Sequence, residues 1–326
     1  MTRAPVRLSI VVPVFDEEES LDLLRDALYD AIAEQPYVWQ IVFVDDGSRD
    51  KSLSILEKYA YDDPDHIIVV ALRRNFGQTA AIAAGIDHAE GEIIVLMDAD
   101  MQNDPADIPM MLEKIDEGYD VVSGWRKKRK DTFITRTLPS RTANALISRV
   151  TGVRLHDYGC TLKAYRREVL TNFRLYGEMH RFIPAYAGYV GAKIVEVPVQ
   201  HHPRRYGKAK YGLERTLKVV LDLFTVKFLI SYSHKPLYLF GGAGMVLGFI
   251  STLILLFLMI RRLALGISAF DSPLFTVGVM FMIMGFQSIL MGLIAELQVR
   301  TYHEAQSKTT YTLRRVINNR SQEQTD

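Results

Sequence analysis

The sequence predicts an α/β fold, a mostly parallel sheet covered by helices on both faces, followed by a hairpin of two membrane-spanning helices. Three observations predict it. Five short apolar runs rich in Val and Ile, at residues 8–14, 41–44, 67–72, 93–97 and 121–123, alternate with helical stretches at 18–34, 51–59, 79–89 and 107–117. Such alternation belongs to parallel sheets buried on both faces, joined by right-handed crossovers. Polar residues follow every run. Finally, residues 237–260 and 273–295 contain no charged residue, and each is close to the roughly 20 residues a helix needs to cross a bilayer.

Taken in order, the first run leads to Pro13, Phe15, Asp16 and Glu17, and the second ends in Asp45-Asp46-Gly47-Ser48. The third leads to Arg73-Arg74-Asn75-Phe76-Gly77, the fourth to Asp98-Ala99-Asp100 and Gln102, and the fifth to Trp125-Arg126. In an open parallel sheet, ligands bind at the carboxyl ends of the strands. These residues therefore converge on one crevice: acids to accept base or ribose hydroxyls, an aromatic wall, and cations for a diphosphate. Asp98 and Asp100, one residue apart at a strand end, can address one hard cation. An isolated triplet of this kind is often a solvated turn; its place among the other strand ends favours a site. Asp45-Asp46-Gly47 also reads as a plain turn, Arg73 and Arg74 as surface charge, and Gly77 and Gly85 as packing positions. Neither a G-x-G-x-x-G nor a G-x-x-x-x-G-K-[ST] segment is present. A diphosphate here needs a metal rather than a glycine-rich helix start to balance its charge.

The 326-residue chain carries 39 Lys and Arg against 38 Asp and Glu, too even a balance for a general nucleic-acid binder. A single cysteine, Cys160, excludes an intramolecular disulfide framework and a multi-cysteine metal site. The apolar run at 9–14 is too short for a signal peptide. Residues 125–141 are basic, with Arg126, Lys127, Lys128, Arg129, Lys130, Arg136 and Arg141. They read either as a solvated loop or as a surface for anionic head groups. Residues 214–233 place Leu217, Val220, Leu221, Phe224 and Phe228 on one helical stripe, which suits the membrane surface. Residues 137–150 offer a second such stretch. Adjacent His201 and His202 point to opposite faces of a strand and do not share an ion. Gly241, Gly244 and Gly248 form a small-residue stripe suited to close helix packing and a possible homo-oligomer.

Lys227, Lys235, Arg300, Lys308, Arg314 and Arg315 flank the hairpin and favour a cytoplasmic side, while Arg261 and Arg262 in the linker oppose it; a large N-terminal domain without an export signal then places both termini in the cytoplasm. The expected organisation is a cytoplasmic domain at 1–212, an amphipathic segment at 213–235, the hairpin at 236–298 and a cytoplasmic tail at 299–326. The tail reads as disordered after Arg315.

Several motifs resemble one family. LSIVVPVFDEEESL at 8–21 and FVDDGSRD at 43–50 are similar to inverting family-two glycosyltransferases of the GT-A fold, a Rossmann-like, mostly parallel sheet. RNFGQ at 74–78 and DADMQNDP at 98–105 narrow the resemblance to polyprenyl-phosphate glycosyltransferases. These include the dolichyl-phosphate mannose synthase, undecaprenyl-phosphate glucosyltransferase and undecaprenyl-phosphate aminoarabinose transferase types. DYGC at 157–160 and KAYRR at 163–167 look nearest the last. The resemblance spans residues 8–302.

That resemblance implies a nucleotide-sugar donor, UDP-linked by preference, and a polyprenyl phosphate acceptor at the inner (plasma) membrane. Pro13, Phe15, Glu17, Asp45 or Asp46, Asp98 and Ala99 would bind the nucleotide. Phe15 stands where the family commonly has tyrosine, which keeps stacking and removes one hydrogen bond. Asp100 and Gln102, with Asp98, would hold Mg²⁺ or Mn²⁺ beside the diphosphate. Asp100, Asp157 and Arg126 would serve the chemistry, Asp157 as a base or by orienting sugar hydroxyls. Arg126 and one of Arg136 or Arg141, together with Arg204 and Lys210 of HHPRRYGKAKY (201–211), would grip phosphates. A GDP-mannose-dependent mannose synthase is the nearest alternative. A processive polysaccharide synthase would need more spans, a channel would need intramembrane charge, and a non-catalytic scaffold would be expected to have lost Asp45, Asp98, Asp100 and Gln102.

Overall fold

The computed structural model describes residues 5–127, 144, 147–149, 151–171, 179–203, 236–270, 272–305 and 311–317. Arg136, Arg141, Arg204, Lys210 and the amphipathic stretch 213–235 lie outside them. The sheet and its helices form one compact unit, and the two long C-terminal helices form a second.

The sheet has eight strands. They are β1 (Leu8–Val14), β2 (Trp39–Asp45), β3 (Ile67–Leu72), β4 (Ile93–Leu96), β5 (Val121–Trp125), β6 (Lys163–Arg166), β7 (Ile194–Pro198) and β8 (Leu313–Ile317). Their order is β7-β5-β6-β4-β1-β2-β3-β8. β1 pairs in parallel with β2 on one side and β4 on the other, and β2 pairs in parallel with β3. These strands are continuous apolar runs because helices cover both faces. The polar residues within them are paired: Ser9 accepts from the Gln40 side chain at 2.8 Å and from the Gly91 amide at 2.7 Å. α1 (Leu21–Ile32) turns Leu21, Leu24, Leu28 and Ile32 inward at helical spacing. α2 (Ser52–Asp62), α3 (Gln78–His88) and α4 (Ile108–Asp116) follow β2, β3 and β4. The strand order reverses between β1 and β4, the switch point at which open sheets bind ligands.

Three strands go beyond the five expected. β6 runs antiparallel between β4 and β5, and β7 lies parallel to β5 at one edge. β8 runs antiparallel to β3 at the other edge, pairing Val69 with Ile317 and Leu72 with Leu313. Its Val316 and Ile317 belong to the stretch expected to be disordered after Arg315. Tyr311 donates to Asp87 at 2.8 Å, Arg315 pairs with Glu57, and the Arg73 amide and Nε donate to the carbonyls of Thr312 (3.1 Å) and Leu313 (3.0 Å). Backbone pairing and these anchors outweigh the polar composition that suggested disorder. Among the described residues this unit also contains the short α5 (Arg167–Leu170) and α6 (Ile183–Tyr189).

The second unit comprises α7 (Pro236–Leu265) and α8 (Pro273–Ala305). Their apolar stretches, Leu239–Leu265 and Pro273–Ala295, are long enough to cross a membrane, with only 17% of each most apolar window buried. Core helices would be mostly covered; here Met245, Phe249, Leu263 and Phe286 are all more than 60% exposed. At about 1.5 Å per residue, either stretch exceeds the ~30 Å hydrocarbon core. A Cβ at Gly244 would lie 2.5 Å from the Gly285 carbonyl, and one at Gly285 would lie 2.7 Å from that of Gly244. Part of the small-residue stripe thus serves packing within the hairpin. α7 continues to Leu265, so Arg261 and Arg262 occupy its last turns rather than a free linker. α8 runs past residue 298, into the stretch expected as tail.

Candidate active site

The loops after β1, β2, β3 and β4 are stitched together by their own hydrogen bonds. Asp16, at φ 49°, donates its amide to Ser48 Oγ at 3.1 Å and accepts from the Arg49 amide at 2.7 Å. The Glu17 amide donates to Ser52 Oγ at 3.0 Å. The Ser20 hydroxyl lies 3.0 Å from the carbonyls of both Glu17 and Ala99, tying the β1 loop to the acidic triplet. Pro13, Phe15 and Glu17 are half-buried along this wall.

Asp45 and Asp46 have different environments. Asp45 is 1% exposed and accepts from the Ser48 amide at 3.3–3.4 Å; burial pushes its carboxyl upward. Asp46 spends both oxygens on backbone, accepting from the Phe76 amide at 2.8 Å and the Gly77 amide at 2.9 Å. Its burial pushes the carboxyl up to about 6, although these hydrogen bonds pull the other way. Asp46 is thus a latch between the β2 and β3 loops. Gly47 is obligatory beside it: φ is +71°, and a Cβ would lie 2.5 Å from the Arg74 carbonyl carbon. Arg74 lies over the Phe76 ring, 4.2 Å from its centroid.

Asp98 and Asp100 reach the same edge from β4. Asp98 accepts from Gln78 Nε2 at 2.6 Å and from the Thr161 hydroxyl at 2.6 Å. Asp100 accepts from the Gln102 amide at 3.1 Å, and Met101 between them is at φ 57°. No group of three His, Cys, Asp or Glu able to hold a metal occurs among the described residues. An oxygen set of Asp100, Gln102 and an already oriented Asp98 suits a hard cation completed by phosphate and water oxygens, as Mg²⁺ prefers, rather than an all-protein cage.

On the other side, Arg126 grips Asp157 through two bonds, Nε to Oδ2 at 2.7 Å and Nη2 to Oδ1 at 2.9 Å. The pair is nearly buried, with side chains 16% and 4% exposed. Burial opposes the guanidinium's charge, but the Asp157 carboxylate outweighs it and raises the Arg126 pKa. Arg126 thus holds Asp157 through Nε and Nη2. Glu196 fixes this loop, accepting from the His156 and Asp157 amides at 2.9 Å and contacting His156 Nδ1 at 2.7 Å. His156 stacks on Trp125 at 4.4 Å.

His201 pairs with Asn103 through a backbone bridge, while His202 Nε2 lies 2.9 Å from Asp104. The Cys160 thiol is fully buried, pushed up to about 11 and directed at Asn103, which makes it unreactive. Three residues that orient the acids, Gln78, Thr161 and Glu196, do not stand out as candidates in the sequence. Gln78 closes the RNFGQ motif and Thr161 directly follows DYGC, which is the signal the sequence offers for them.

The profile described as glycosyl transferase family 2 matches residues 9–173. The chain is 44% identical over 327 residues to the dodecaprenyl-phosphate galacturonate synthase of Rhizobium johnstonii, covering 98% of this chain and 97% of that one. It is 39% identical over 312 residues to the undecaprenyl-phosphate 4-deoxy-4-formamido-L-arabinose transferase of an Enterobacter species, covering 95% and 94%. Among solved structures it is similar to glucosyl-3-phosphoglycerate synthase from Mycobacterium tuberculosis, crystallised with Mn²⁺ and UDP-glucose. That likeness has a TM-score of 0.52 at 18% identity, covers 70% of this chain and 81% of the other, and speaks to the fold alone.

Proposed function

Since the chain belongs to glycosyl transferase family 2 and is a glycosyltransferase, we propose that it transfers a sugar from a nucleotide sugar, UDP-linked by preference, to a polyprenyl phosphate, with inversion. The observation that carries this reading is the meeting of Asp98 and Asp100 with their orienting partners at the switch point of the sheet, in a chain that also carries two helices long and apolar enough to cross a membrane. The relatives' names bring polyprenyl phosphate to this chain as acceptor, and galacturonate and 4-deoxy-4-formamido-L-arabinose as the first sugars to try.

The chemistry is one in-line displacement. A polyprenyl phosphate oxygen attacks the sugar C1. The bond from C1 to the diphosphate oxygen breaks, and its electron pair leaves with the nucleoside diphosphate. The attacking phosphate is already anionic at neutral pH, so the reaction needs positioning and charge stabilisation more than a base. The bidentate grip of Arg126 accordingly suits Asp157 to orienting sugar hydroxyls rather than abstracting a proton. Asp45 and its Ser48 turn receive the base or ribose, with Pro13, Phe15 and Glu17 as the wall. Asp46 acts through the loop it latches.

Asp100 and Gln102, with Asp98, hold the divalent cation, Mg²⁺ or Mn²⁺, which when bound supplies Lewis-acid stabilisation of the diphosphate. Arg204, Lys210 and one of Arg136 or Arg141 meet the acceptor phosphate. Both termini face the cytoplasm. Asp100→Ala should abolish cation-dependent transfer while the protein still inserts into membranes; full activity of that variant in EDTA-treated membranes overturns the cation assignment. A panel of UDP-linked galacturonate, formamido-arabinose and glucose with GDP-mannose identifies the donor. Transfer from GDP-mannose alone would favour the mannose synthase reading.

A further inference from the structure

Lys163 opens β6, paired with Leu96 on one side and Ser123 on the other, and is 3% exposed. Its ammonium donates to the Tyr158 carbonyl at 3.1 Å and, more closely, to that of Cys160. Burial favours its neutral form, while the neighbouring Asp157 and Asp98 carboxylates favour the charged form and Arg126 opposes it. A buried ammonium costs several kcal/mol unless its surroundings compensate. Hydrogen bonds to two carbonyls alone could come from a neutral side chain. What distinguishes this position is that the clamped turn carries functional side chains at both ends. Asp157 precedes it and receives Arg126; Thr161 follows it and donates to Asp98.

We propose that Lys163 is a positioning residue for the transfer reaction: its ammonium clamps the Tyr158–Cys160 turn and thereby sets Asp157 on Arg126 and Thr161 on Asp98. This inference rests on the glycosyl-transfer reading of the site. Lys163 cannot itself reach a substrate from so buried a position, and it acts through the turn.

The test uses the full-length protein with Lys163→Met, Lys163→Arg, Asp157→Asn and the double variant Lys163→Met/Asp157→Asn. Methionine fills similar space without charge, so the melting temperature should fall by less than that of Asp157→Ala while kcat falls about 10- to 100-fold, the scale of a misplaced catalytic group. Donor KM should change far less, and Lys163→Arg should recover part of the loss. The double variant should be little worse than Asp157→Asn, because both changes act through one loop. Amide hydrogen exchange across 157–161 should quicken in Lys163→Met. Unchanged exchange there, or losses that multiply in the double variant, overturns the proposal. So does a fall in kcat matched by a proportional fall in melting temperature. If Lys163→Met does not fold, Thr161→Val combined with Lys163→Arg carries the same non-additivity test. A parent protein that transfers no sugar to polyprenyl phosphate refutes the transfer reading instead, while the exchange measurement still decides whether Lys163 clamps the turn.

Discussion

Removing Asp157 separates what the Arg126–Asp157 pair does for the fold from what it does for chemistry. The side chains are 16% and 4% exposed and share two charge-assisted hydrogen bonds at 2.7 and 2.9 Å. At about 4 Å and an effective dielectric constant near 20, such charges attract by roughly 4 kcal/mol. Breaking a buried pair from one side leaves the other charge uncompensated and costs about 3–5 kcal/mol. Asp157→Ala and Arg126→Ala should each lower the melting temperature by roughly 6–20 °C for a domain of this size. Arg126→Met/Asp157→Leu should recover most of that stability, since well-packed apolar replacements often match or exceed a buried ion pair. It should not recover sugar transfer. The assay is thermal melting of the full chain in detergent beside transfer of labelled sugar to lipid. An Asp157→Ala protein that melts within a degree of the parent refutes the energetics. A double variant with parental transfer refutes the functional role.

Three further outcomes follow from the geometry. Folding raises the Asp46 carboxyl from its ordinary value near 3.8 to about 6, so between those values the folded state binds more protons and stability falls as pH rises; relative to Asp46→Asn, the parent should lose about 2 kcal/mol from pH 4 to pH 6 and level off about one pH unit higher. A rising difference over that window, read from melting temperature against pH, contradicts the burial argument. Gly47→Ala meets both a left-handed backbone and the Arg74 main chain, and should cost about 2 kcal/mol or more and weaken nucleotide binding by calorimetry. Ending the chain after Lys308 removes β8, and with it the partners of Arg73. The five residues' ordering entropy roughly offsets their ladder bonds, so the melting temperature should fall only modestly, while donor KM rises as the 73–77 loop loosens. An unchanged KM would mean that β8 serves the sheet edge alone.

The central strands were legible because β1 and β3 are buried on both faces, β3 as an unbroken apolar run and β1 as one whose single polar residue is Ser9. α1 was legible because Leu21, Leu24, Leu28 and Ile32 keep helical spacing. β6, β7 and β8 were not, because Lys163, Glu196, Arg314 and Arg315 interrupt them and their pairing depends on neighbours distant in sequence. The acidic triplet was recognisable from its position after a strand. The division of labour between Asp45 and Asp46 was not, since the amides that occupy Asp46 lie 30 and 31 residues further on. Likewise, Asp98's partners Gln78 and Thr161 are brought to it by the packing of α3 on β1 and by the pairing of β6 with β4.

The most direct measurement incubates purified full-length protein with undecaprenyl phosphate and doubly labelled nucleotide sugars, then follows both labels. Sugar label should enter a butanol-extractable, mild-acid-labile lipid with inverted configuration, and one nucleoside diphosphate should be released per sugar transferred. Release of nucleoside monophosphate with a sugar diphosphate lipid, or no lipid product from any donor, would contradict the in-line transfer of sugar to a polyprenyl phosphate.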